Sequence, residues 1–84
     1  MSTTRHELRL PDLGLGDIPV LASVWLVDLG AEVTEGDRLL EIVAGSATVD
    51  LPAPASGTLV EVLVGEDEPL QTGQLLAVVR GPAE

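Results

Sequence analysis

Displaced by 37 positions, the chain matches itself, and this repeat constrains the fold more than any single residue does. Leu26 falls on Leu63, Val27 on Val64, Gly36 on Gly73 and Leu39 on Leu76. Ala22 and Leu59, Trp25 and Val62, Val33 and Leu70, and Ile42 and Val79 form further apolar pairs. A chain of 84 residues is too short for two domains, so two similar halves must bury their apolar sides against each other. Turn chemistry recurs at short intervals: Pro11-Asp12 with Gly14 and Gly16, Gly30, Gly36-Asp37, Gly45-Ser46, Pro52-Ala53-Pro54, Gly57, Gly65, Pro69, Gly73 and Gly81-Pro82. Between these points, runs such as Val24 to Leu29 and Leu59 to Val64 have strand length and β-branched enrichment. Many short strands at this spacing predict an all-β sandwich or barrel.

One segment offers an alternative. Thr34 with Asp37 has capping-box spacing and Gly45 could end a helix carrying Leu39, Leu40, Ile42 and Val43. The repeat argues for a strand instead. The matching segment, Gly73 to Val79, has Gln71 where the first copy has Thr34, and so carries no cap.

Composition closes off several functions. Fourteen Asp and Glu stand against four basic residues, for a net charge of -10. Trp25 is the only aromatic residue, so neither the cations nor the stacking platforms of a nucleic-acid binder are present. No uncharged run is long enough to span a membrane, and no apolar stretch follows a basic N-terminus, which leaves a cytoplasmic location as the expectation. There is no cysteine, and one histidine, His6, cannot complete a metal site. The four basic residues are Arg5, Arg9, Arg38 and Arg80, so the chain has no lysine. Schiff-base chemistry, biotinylation and lipoylation are excluded with it.

Pro11-Asp12-Leu13-Gly14, Gly16, Trp25-Leu26-Val27, Gly30, Val33, Glu35-Gly36-Asp37, Leu39 and Glu41 resemble the opening half of the lipoyl domains of E2 acyltransferases from 2-oxo acid dehydrogenase complexes. Ala47-Thr48-Val49-Asp50, Pro52, Pro54, Gly57, Glu61-Val62-Leu63-Val64, Gly73-Gln74 and Leu76-Ala77-Val78 resemble the closing half. The resemblance runs without a gap from Leu8 to Val79. It implies a flattened β-barrel, a barrel-sandwich hybrid of two four-stranded sheets with quasi-two-fold symmetry, occupying residues 8–80. A flexible N-terminus (1–7) and a tail or linker start (81–84) are expected around it. Val20 stands where the family usually has glycine, opposite Gly57 in the repeat, so a different local bend is expected there.

The resemblance also implies a hairpin tip reading Asp-Lys-Ala, with lipoate on the lysine. This chain reads Val43-Ala44-Gly45-Ser46-Ala47, so Ser46 occupies the position of the lipoyl lysine and Gly45 that of the aspartate. A serine hydroxyl cannot form the amide, and no cofactor is expected. The stretch Ile42 to Val49 is free of charge in a chain where 21% of residues are charged. Residues 43–47 are therefore the candidate partner-binding surface, and a charge at Ala44 or Ser46 is expected to weaken binding without unfolding the domain.

The function implied is a non-catalytic structural or docking subunit that meets the catalytic domain or subunit of an E2-like acyltransferase. Such acyltransferases also occur in bacterial tetronate polyketide pathways, acetylating a small-molecule hydroxyl, and the chain resembles the lipoyl-like domain found there. If encoded separately, it must find its catalytic partner by surface affinity. The alternative is an acyl carrier bearing phosphopantetheine on Ser46, although acyl carrier proteins present that serine at the start of a helix after an acidic residue. No nucleophile, base and orienting group can be assembled for an enzyme acting alone. Leu13-Gly14-Leu15-Gly16 lacks the third glycine of a phosphate loop and reads as a turn, and Glu66-Asp67-Glu68 as a solvated loop. Trp25 is expected in the core and His6 in solvent.

Overall fold

Residues 3–82 are described by the computed structural model, and they form eight strands with no helix among them. These are β1 (Thr3–Arg9), β2 (Val20–Trp25), β3 (Glu32–Val33), β4 (Arg38–Ala44), β5 (Ala47–Pro52), β6 (Gly57–Val62), β7 (Pro69–Leu70) and β8 (Leu75–Pro82). A first sheet has the order β1-β8-β6-β3 and a second the order β5-β4-β2-β7. All neighbours are antiparallel. This is the two-sheet β-barrel expected of the sequence.

The repeat is written into the hydrogen bonding as well as the side chains. β2, β3 and β4 correspond to β6, β7 and β8, while β1 completes the first sheet as β5 completes the second. The short strands are exchanged: β3 of the first half pairs with β6, and β7 of the second half with β2. Bulges fall at equivalent places, between Ala22 and Val24 in one half and between Leu59 and Glu61 in the other. The Leu26 N–H donates to Leu39 O at 2.8 Å as Leu63 N–H does to Leu76 O at 2.9 Å. Gly30 N–H donates to Leu59 O at 2.8 Å, and Asp67 N–H to Ala22 O at 2.7 Å. Asp67 accordingly takes up φ 68° where Gly30 has φ 92°.

The helix-like signal at Thr34 resolves into a turn. The Thr34 N–H donates to Asp37 Oδ2 at 2.8 Å while the Asp37 N–H donates to Thr34 O at 2.9 Å. Capping-box residues thus close a tight loop rather than a helix, and Gln74 repeats the bond to the Gln71 N–H at 2.9 Å. β4 then buries Leu39, Leu40 and Ile42 completely, together with Leu59, Leu76 and Val79 from the second half. Trp25 packs against this aliphatic core, half-buried, and its Nε1–H donates to Val64 O at 3.0 Å, tying one half to the other.

The expected flexible stretch 1–7 is, from Thr3 onward, the edge strand β1, paired from Thr3↔Pro82 to Arg9↔Leu75. Only Leu8 of this strand is buried, so its alternating polar residues gave no core signal. A backbone ladder and an Arg5 Nη1–Glu61 Oε2 ion pair of 2.6 Å hold it. His6 lies half-buried within it, opposite Val79, rather than free in solvent. Gly81 and Pro82 likewise extend β8 instead of starting a tail; Met1, Ser2, Ala83 and Glu84 lie outside the described residues. Gly81 fits because a Cβ there would meet Ser56 O at 2.1 Å.

Candidate functional site

The tip of the β4–β5 hairpin is a two-residue loop, Gly45-Ser46, closed by the pair Ala44↔Ala47. Gly45 has φ 62° and Ser46 is not among the residues of positive φ, the pattern of a type II′ turn with glycine at its first central position. Ala44 pairs with Val20, Val20 with Leu70, and Leu70 leads through Gln71–Gln74 into β8, which then runs its length away from the tip to Pro82. The tip and the Thr3/Pro82 pair therefore stand at opposite ends of a molecule 43 Å long.

The five expected contact residues are contiguous on this hairpin but do not share one environment. Gly45, Ser46 and Ala47 are exposed and Val43 is half-buried on the outer side of the sheet. Ala44 faces inward and is only 5% exposed. A partner cannot rest on Ala44, and a charge there would be buried, so the expectation that it leaves folding intact is corrected for this residue.

Beside the tip lies the link between β1 and β2, residues 10–19, far longer than its counterpart 53–56 between β5 and β6. Gly14 (φ 69°) and Gly16 (φ 61°) fold this link, with the Gly14 N–H donating to Asp12 Oδ1 at 2.9 Å, so Leu13 to Gly16 is a turn. Ile18 Cγ2 lies 3.3 Å from where a Gly45 Cβ would stand. The link and Leu70 enclose an open cleft of about 450 Å³ lined by Leu10, Leu13, Leu15, Ile18 and Val20, with Asp12 and Asp17 on its rim. Sequence reasoning missed Ile18 and this cleft; the unequal lengths of the two equivalent links were the available signal.

The opposite end of the molecule shows what the hairpin end lacks. At Gly57 φ is 155° and a Cβ would fall 2.2 Å from Arg80 O. Val20, its equivalent, has no such conformation and pairs with Ala44 instead of a glycine. The local bend differs between the halves, as expected at Val20.

Chemistry at the tip is sparse. His6 is on the other sheet, opposite Val79, so no imidazole is available to activate Ser46. Among the described residues no group of three or more His, Cys, Asp or Glu is placed to hold a metal ion. Glu66, Asp67 and Glu68 are exposed in the β6–β7 loop. Among the described residues no helix is long and apolar enough to cross a membrane.

Comparison with known proteins adds the family. The family Biotin_lipoyl, described as "Biotin-requiring enzyme", matches residues 6–79. The dihydrolipoyllysine-residue acetyltransferase component of the pyruvate dehydrogenase complex from Staphylococcus epidermidis is 34% identical over 76 residues, covering 90% of this chain and 18% of that protein. The same component from Staphylococcus aureus is also 34% identical over 76 residues, with the same coverage. The chain thus spans under a fifth of the length of these relatives. A single-chain, multi-domain long-chain acyl-CoA carboxylase contains a matching fold, with a TM-score of 0.73 and 22% identity over 95% of this chain and 7% of that one. Lipoate or biotin held as an amide requires an amine. Ser46 offers a hydroxyl and the chain has no lysine, so the residues present do not fit either group.

Proposed function

This chain belongs to the Biotin_lipoyl family, and from that premise we propose that it is a lipoyl-like module without an arm, a non-catalytic docking or structural subunit of an E2-like acyltransferase. One observation carries the reading: a complete lipoyl-type frame presents an uncharged hairpin tip with Ser46 where an amide-bearing lysine would stand. A frame kept after loss of its chemistry is kept for what its surface touches.

The acyltransferase assignment is supported by the acetyltransferase relatives, and docking by the exposed Gly45, Ser46 and Ala47. The narrower reading is acetyl transfer to a small-molecule hydroxyl in tetronate polyketide assembly, and it rests on resemblance alone. A carrier role through a prosthetic group on Ser46 has less support, because the serine follows glycine on a β-turn and no helix begins there.

Reconstitution tests the proposal. The acyltransferase catalytic subunit of the natural host is assayed for acetyl transfer and solubility with and without this chain. Low activity or solubility restored by adding it is the expected result; full activity of the catalytic subunit alone refutes it.

A further inference from the structure

The near-symmetry of the two halves supplies an internal control for every surface position. On the outer face of the second sheet, one row of paired residues crosses all four strands: Thr48 beside Val43, Val43 beside Leu21, Leu21 beside Pro69. The equivalent row on the first sheet is Arg5, Arg80, Thr58 and Glu32. There the Thr58 hydroxyl donates to Glu32 Oε1 at 2.7 Å and Arg5 is ion-paired with Glu61. The two rows have the same pairing partners and the same outward direction, since their sequence neighbours Ala22, Ile42, Leu59 and Val79 all face the core. The fold therefore does not require an apolar residue at these positions; it accepts arginine and threonine in one half and carries valine and leucine in the other. Leu21 is nevertheless 38% exposed, and Ile18, against Gly45 at the tip, 44% exposed.

Charge says what would cover this strip. One step along the same face, Glu41 pairs with Asp50, which is matched 3.7 Å away by Arg38, the one cation of this sheet; Glu68 precedes Pro69, and the chain as a whole carries -10, so the border is acidic in balance. A second copy would bring these carboxylates against each other, which is unfavourable. An apolar centre with an acidic border is complementary to an apolar patch bordered by arginine and lysine.

We propose that the outer face of the second sheet, centred on Leu21 and Val43, binds an apolar, basic-bordered surface of a partner protein. This deepens the docking role proposed above and rests on it. The hairpin tip then lies at the border of the contact, and the cross-strand pair Leu21–Val43 forms its centre, where truncation costs most.

The test places a photo-reactive benzoylphenylalanine at Leu21, at its fold-equivalent Thr58 and at Ser46, one at a time, in the full chain expressed in its natural host. The expected result is one protein captured from Leu21 and not from Thr58, cross-linked at an apolar residue flanked by Arg or Lys. The purified partner should bind the unmodified chain with an affinity that falls as salt rises. Leu21→Ser should weaken that binding by about tenfold or more, and Thr58→Ala by less than about twofold. Val43→Thr, which keeps the β-branched shape, guards against a folding defect and should weaken it as well. Capture from Leu21 of a second copy of this chain, or equal capture from Thr58, overturns the inference. Capture from Ser46 without Leu21 overturns it while leaving the docking role standing; capture from no position overturns both.

Discussion

Gly57→Ala tests the close approach that joins β6 to β8. A Cβ at this position would stand 2.2 Å from Arg80 O, 2.7 Å from Arg80 C and 2.8 Å from Gly81 Cα, all of them backbone atoms of β8, the strand that buries Leu76, Ala77, Val78 and Val79. No side-chain rotation can relieve the contact, so the strands must separate by roughly an ångström, weakening the Thr58↔Arg80 pairing next to it. Alanine also resists φ 155°, a conformation costing on the order of 1–3 kcal/mol. Adding a disrupted ladder bond of about 1 kcal/mol gives a loss of about 3 kcal/mol. A domain of this size is stable by on the order of 4–12 kcal/mol, so the variant should melt about 12 °C lower or more. Urea unfolding followed by Trp25 fluorescence measures the effect directly. Gly65→Ala is the control: nothing lies within 4 Å of its Cβ position and its φ is not positive, so it should be neutral or stabilising by up to about 1 kcal/mol. A Gly57→Ala variant within about 1 kcal/mol of the parent would refute the reasoning, because it would mean the two strands do not approach as described.

Three further outcomes follow from the same structure. Ala44→Asp buries a carboxylate at a position 5% exposed and should lower stability by about 2 kcal/mol or more, whereas Ser46→Asp at the exposed turn should stay within about 0.5 kcal/mol, as read by thermal circular dichroism. Equal effects would place Ala44 on the surface after all. Trp25→Phe keeps the ring in the core but removes the 3.0 Å bond to Val64 O, leaving that carbonyl without its indole donor; a loss of about 1–2 kcal/mol is expected, and no loss would show that this bond does not tie the halves. Asp67→Gly relieves a left-handed residue at the position held by Gly30 in the first half and should raise stability slightly, by up to about 1 kcal/mol, read as a higher urea midpoint; a lower midpoint contradicts the equivalence.

Legibility in the sequence followed how each feature is encoded. The repeat exposed the symmetry because it recurs in bulky apolar residues, and the structure extends it to bulges and turn hydrogen bonds that no residue type announces. β1 reads as a tail because edge strands can be built from backbone bonds with one buried side chain, here Leu8, and such a segment has the composition of a tail. At the tip, the sequence places Ser46 at the exposed turn but not the inward direction of Ala44, which depends on strand parity counted from the irregularity in β4 where Leu39 and Leu40 are both buried. The exposed face centred on Leu21 is not legible in the sequence for a similar reason: there Leu21 is one more leucine among core leucines, and only its outward direction separates it from Ala22.

The central claim, a lipoyl-type frame working without an arm, is tested most directly by the intact mass of this protein purified from its natural host, measured beside Ser46→Ala. The account predicts the mass of the bare chain for both. A mass increase that disappears in Ser46→Ala would contradict it and make the hairpin serine a carrier site.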